Sequence, residues 1–135
     1  MTDQTPEGDD IALSDLQLDV MRVLWRGEAS VADVAAALAA ERGLAHTTVA
    51  TVLTRLGKRG AVAHRREGRQ LLYRALVSEP QVRRTMVGDL IQSLFQGDPR
   101  ALLAHLVSER EVAPGDLAKV EALLARDSDK KGPRR

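Results

Sequence analysis

The stretch His46–Gly60, "HTTVATVLTRLGKRG", combines two sets of residues in one helical period. Val49, Val52, Leu53 and Leu56 fall at i, i+3, i+4 and i+7 and form one apolar stripe. The other positions include Thr47, Thr48, Thr51, Arg55 and Lys58. Clustered threonines lower helix propensity without adding to packing, so their presence here points to a working face. Their chemistry suits duplex DNA. The major groove admits an α-helix, and its base edges offer donors, acceptors and the thymine methyl. Threonine supplies hydroxyls and methyls, and Ala50 can meet a thymine methyl. Arg55, one turn beyond Thr51, can reach guanine or phosphate; Lys58 and Arg59 can reach phosphate.

A second cluster follows in "AVAHRREGRQLLYRAL". Here the period shortens to two, and Glu67-Gly68 marks a turn, so the segment reads as a β-hairpin. Its tip carries Arg65, Arg66 and Arg69, which suit minor-groove or backbone phosphate contact. Between Thr54 and Ala75 the only acid is Glu67, against Arg55, Lys58, Arg59, Arg65, Arg66, Arg69 and Arg74. In a chain of net charge +1, that local block is either a polyanion-facing patch or a solvated basic face. His46 at the helix start and His64 on the hairpin could touch phosphate.

Other chemistries find little support. The three histidines, His46, His64 and His105, are far apart and show no metal-binding spacing. There is no phosphate-cradling glycine loop and no nucleophile motif, so no enzyme, metal or cofactor is expected. With no cysteine, disulfides and thiolate sites are excluded. The start, "MTDQTPEGDD", is acidic and polar, unlike a signal peptide. No apolar run approaches a membrane span, so the expected location is cytoplasmic.

The elements that would position these residues are mostly helices. At 135 residues, 44% hydrophobic and 2% aromatic, the chain must build its core from aliphatic side chains and alanine. "LSDLQLDVMRVLWRG" reads as a helix with Ser14 as cap and Gln17 completing a capping box. Leu16, Val20, Val23 and Leu24 form its buried stripe, with Met21 and Trp25 at the edges. "SVADVAAALAAERG" reads as a second helix, capped by Ser30, closed by Gly43 and facing inward through Val31, Val34, Ala35 and Leu38. The third begins near His46, where Ala45 is a poor cap and Thr47 could cap a shorter helix. Three short helices followed by a basic hairpin is the order of a winged helix-turn-helix.

Beyond Ser78 the helical period returns. Val82, Met86, Leu90 and Leu94 recur every four residues, with Val87, Ile91 and Phe95 beside them. "QGDPRALLAHLVSE" restarts after Asp98-Pro99, and "APGDLAKVEALLARD" adds a last helix. Helices this short and apolar must pack on the N-terminal unit or on another chain. The expected organisation is a disordered tail at 1–10, a winged-helix domain at 11–78, a helical domain at 79–127 and a disordered basic tail at 128–135.

The segments "LSDLQLDVMRVLW", "TTVATVLTRLGKRGAVAHRREGRQLLYRAL" and "FQGDPRALLAHLVSE" resemble the penicillinase-repressor (BlaI/MecI) family, in order from Ile11 to Arg126. The resemblance implies a mainly α homodimeric repressor whose winged helices each read half of a palindromic DNA operator. It implies base and phosphate contacts at Thr47, Thr48, Thr51 and Arg55, with wing contacts near Arg65 to Arg69. It makes the C-terminal helices a dimerisation domain, through Val82, Met86, Val87, Leu90, Ile91 and Leu94 on one helix. Leu102 and Leu106 on the next, and Leu117, Val120 and Leu124 on the last, would complete the interface.

Family members are commonly derepressed when a membrane sensor-peptidase triggers cleavage in that domain. The chain departs from the pattern at Ala45, often serine, and at Ala50, often basic. It departs again at His105-Leu106, where the resistance repressors have the cleaved Asn-Phe bond. A copper-responsive branch carries C-terminal cysteines, which this chain lacks. Two other readings use the same elements: a winged helix whose basic face meets an acidic protein, and a ligand-sensing regulator with an effector pocket between its domains. The scarcity of aromatic residues argues against such a pocket.

Overall fold

The structure, a computed structural model, describes residues 11–131, with side chains to residue 126. The element order is α1 (Asp15–Leu24), β1 (Ala29–Ser30), α2 (Val31–Ala37), α3 (His46–Lys58), β2 (Val62–Glu67), β3 (Gln70–Ala75), α4 (Glu79–Phe95), α5 (Pro99–Ser108) and α6 (Asp116–Lys131). The tail expected at 1–10 lies outside the described residues. The C-terminal tail was expected from 128, but α6 continues to Lys131. Nothing there breaks a helix until Gly132-Pro133.

Local chemistry sets the helix starts. Ser14 N donates to Gln17 Oε1 (3.0 Å) and Gln17 N donates to Ser14 Oγ (3.2 Å), a full capping box. Ser30 and Asp33 form a second one at α2. Ser78 and Gln81 exchange the same pair of bonds at the start of α4. The second helix is shorter than its sequence pattern, ending at Ala37 and continuing as turns to Gly43, whose φ of +56° favours glycine.

The chain divides into two compact units, the first ending at Asp89 and the second beginning at Leu90. The division falls inside α4 rather than at the helix start. The reason is Val82, which is 1% exposed and belongs to the core of the first unit; Met86 packs against that core. The apolar surface of Val82 is therefore covered within the chain, which corrects its assignment to a dimer contact, while Met86 is half-buried.

That core gathers Val20, Met21, Val23 and Leu24 of α1, Val34 and Ala35 of α2, and Val49, Val52, Leu53 and Leu56 of α3. Met21 was placed at the edge of the α1 stripe yet is fully buried in the core, and α1 also packs against β3. Leu16 is only half-buried. Trp25 Nε1 donates to Val77 O (2.8 Å) and fastens the end of α1 to the chain leaving β3.

The sheet is antiparallel, in the order β1-β3-β2. β2 and β3 form the hairpin, closed by Gly68-Arg69, with Gly68 at φ +64° in the first central position that tight hairpin turns reserve for glycine. Three helices with this hairpin make a winged helix. β1 adds a short third strand, Ala29 opposite Tyr73 and Ser30 opposite Leu72.

In the second unit α5 starts at Pro99, after Asp98 accepts a bond from Arg100 N (2.9 Å). No described side chain from Arg83 to Arg126 is buried. Leu94 (68%), Val107 (59%) and Leu124 (61%) are among its exposed aliphatic residues. No helix among the described residues is long and apolar enough to cross a membrane.

Candidate nucleic-acid interface

α2, the turn after it and α3 form a helix-turn-helix, and α3 is pinned by one face. Val49, Leu53 and Leu56 are fully buried, so helical geometry turns the other side outward. Thr47, Thr48, Thr51, Arg55 and Lys58 are exposed along it, His46 is exposed at its first residue, and Ala50 is half-buried. The helix begins at His46, so Thr47 is not its cap. Ala45 occupies the cap position in cap geometry (φ −68°, ψ 151°) but supplies no side-chain acceptor. The first-turn amides of α3 are therefore left without a side-chain cap, at the positive end of the helix dipole.

The threonines are not equivalent. Thr51 Oγ1 donates to Thr47 O, and Thr54 Oγ1 donates to Ala50 O, each at 2.9 Å. Such back-bonding spends the hydroxyl hydrogen, so Thr51 presents a methyl and an acceptor. Thr47 and Thr48 have no side-chain partner among the described residues and keep the full range of a hydroxyl. Thr54, which the sequence reading passed over, lines a cleft of about 440 Å³ with Lys58, His64 and Tyr73, between α3 and the wing.

Strand alternation sorts the wing arginines. Val62 and Tyr73 are buried, and His64 stands opposite Tyr73 in the register, so Val62, His64 and Arg66 share the inner face toward the core and α3. Ala63, Arg65 and Glu67 share the outer face with Leu72 and Arg74. His64 rests on Tyr73 with ring centroids 5.3 Å apart.

Arg65 was expected to be an available cation at the hairpin tip, but it is already engaged. Its Nε and Nη2 donate to the two carboxylate oxygens of Glu28, both at 2.9 Å, and Nη2 lies 3.0 Å from Glu67. The Arg65 hydrogen bond, reinforced by its charge and that of Arg74, holds the Glu28 carboxyl below its ordinary value. The side chains of Arg55, Lys58, Arg66 and Arg69 have no ion pair or hydrogen bond among the described residues. Arg59 reaches Gln17 Oε1 at 3.4 Å. These cations lie on one helix and the hairpin beside it, with no described carboxylate paired to them.

Among the described residues no group of His, Asp or Glu side chains is arranged to hold a metal ion. His105 is exposed in α5, with its ring 5.8 Å from that of Phe95. The bond from His105 to Leu106 lies inside that helix, and Leu106 is half-buried.

The family described as penicillinase repressor matches residues 13–126. The transcriptional regulator BlaI of Mycobacterium tuberculosis is 38% identical over 118 residues, covering 82% of this chain and 86% of that protein. The penicillinase repressor of Bacillus licheniformis is 22% identical over 120 residues, covering 88% and 94%. Among solved structures, the monomeric form of Bacillus licheniformis BlaI in complex with the blaP half-operator aligns with a TM-score of 0.46 at 31% identity, over 53% of this chain and 89% of that one.

Proposed function

The chain belongs to the penicillinase-repressor family, and we propose that it is a homodimeric transcriptional repressor in which each winged helix reads half of a palindromic operator. One observation carries the reading: the uncovered side of α3 and the inner face and tip of the adjoining wing carry Arg55, Lys58, Arg66 and Arg69, none with an ion pair among the described residues. In this assignment Thr47, Thr48 and Thr51 meet base edges, with Ala50 at a thymine methyl. Arg55 bonds guanine or phosphate, and Lys58 holds the backbone. Arg66 and Arg69 take the wing contact, while His46 and the uncapped start of α3 approach a phosphate.

The second unit supplies the dimer. Its described side chains find no buried environment in the single chain, and such a unit is stable only when its apolar face is covered. Leu90, Leu94, Leu117, Val120 and Leu124 are exposed and available to a partner copy, as is Val87 at the end of the first unit. Ile91, Leu102 and Leu106 are half-buried. The protein works in the cytoplasm, where the operator is. Induction by a membrane sensor-peptidase acting at His105-Leu106 would require α5 to open before cleavage.

The test is selection of bound duplexes from a random pool, followed by gel filtration of the free protein. The reading expects a palindromic consensus and a dimer. Recovery of unrelated duplexes by a monomer would end it.

A further inference from the structure

We propose that Glu28 is a positioning residue for DNA recognition: by clamping Arg65 across the sheet it sets where the wing carries Arg66 and Arg69 beside α3. The inference rests on the function proposed above. Glu28 directly precedes β1, the edge strand on one side of β3; Arg65 lies on β2, the edge strand on the other. The bond joins groups 37 residues apart and crosses the middle strand. It is bidentate, with both carboxylate oxygens and two guanidinium nitrogens engaged, which fixes direction as well as distance.

The hairpin needs such a fastening. Its inner face is anchored at the base by Val62 and Tyr73, but every β2 residue from His64 to Glu67 is exposed. β1 is two residues long and pairs only with Tyr73 and Leu72 of β3, so the β2-β3 hairpin is joined to the edge strand by backbone pairing at those two positions alone. Arg65 adds a side-chain tie on the outer face. On the inner face its neighbour Arg66 has no partner among the described residues, so the alternation of one strand separates a holding cation from a reading cation. Glu67 adds a second carboxylate to Arg65 at 3.0 Å, so two acids offset its field where a phosphate would approach.

The experiment measures binding of full-length E28Q, R65K and the double variant to the selected operator and to a scrambled duplex, over a range of salt. R65K keeps the charge but cannot reproduce the bidentate clamp. Each single variant is expected to weaken operator binding roughly three- to tenfold, with the double variant no weaker than either, as for two residues acting through one contact. The slope of log affinity against log salt for the operator becomes shallower by at most about two, because only the Arg66 and Arg69 contacts are misplaced, and scrambled-duplex binding, which does not depend on that placement, is unchanged. Thermal unfolding confirms that each variant is folded at the assay temperature. Tighter binding by E28Q with a steeper salt slope would overturn the proposal, making Glu28 a competitor for phosphate. Unaltered affinity, or additive losses in the double variant, would overturn it too. Failure of the wild type to prefer any duplex strikes instead at the repressor reading, which keeps the two outcomes distinct.

Discussion

At the scale of single residues, the proposed reading places most of recognition on Arg55. It is exposed, without an ion pair among the described residues, and one turn beyond Thr51 on the open side of α3. Replacing it with alanine is expected to weaken operator binding by about 1–3 kcal/mol if it reads a guanine, with relaxed preference at one base pair. If it holds a phosphate instead, all duplexes weaken alike and the salt slope falls by about one; titration at several salt concentrations separates the two. Acid sensitivity belongs to this scale as well. Asp19 accepts a 2.7 Å bond from Arg42 and a 3.0 Å bond from Arg22, and the Arg42 bond leads in lowering its carboxyl below the ordinary 3.8. A carboxyl lowered in the folded state adds stability that is present above its ordinary value and lost as pH falls through the lowered one. D19N is therefore expected to lose less of its thermal midpoint than the wild type between pH 5 and about pH 3. The identity of these exposed residues was legible in the sequence, but their partners were not. Arg65 reads as a free cation until the fold brings Glu28 to it, and Thr51 reads as a free hydroxyl until the helix offers it Thr47 O.

The start and the buried face of α3 decide whether recognition is presented correctly at the scale of the element. Ala45 already has the backbone geometry of a cap, so Ala45→Ser should stabilise the domain by roughly 0.5–2 kcal/mol in chemical denaturation. The same serine would compete with any phosphate for the first-turn amides. Leu53 is fully buried, and Leu53→Ala should cost about 2–5 kcal/mol and weaken DNA binding only through unfolding. Elements with a sustained period were readable: α1, α3 and the hairpin stand where the spacing of Val, Leu and Tyr puts them. β1 was not, since two residues carry no period, and its pairing with β3 depends on contacts remote in sequence. α2 stops short of its alanine-rich pattern, with the chain turning over Leu38–Arg42 to bring α3 into place.

At the scale of the whole molecule, the contrast between the two units carries the functional argument. The first has a closed core and an open basic face; the second has exposed leucines and no buried side chain among those described. Val82 shows why the division was hard to place from sequence, because the apolar repeat of α4 continues unbroken while Val82 is buried and Leu90 and Leu94 are exposed. Replacing Leu124 with Asp puts a charge where a partner copy would sit, and should shift the chain to monomer in gel filtration. Affinity for a single half-site should then survive, while affinity for the palindrome falls by the loss of the linked second site, on the order of 10²-fold or more. The central claim is tested most directly by titrating the selected palindrome with protein in an analytical ultracentrifuge at rising salt. The expected result is two chains per duplex, much tighter than on a scrambled duplex, with log affinity falling linearly in log salt. One chain per duplex, or equal affinity for the scrambled sequence, would contradict it.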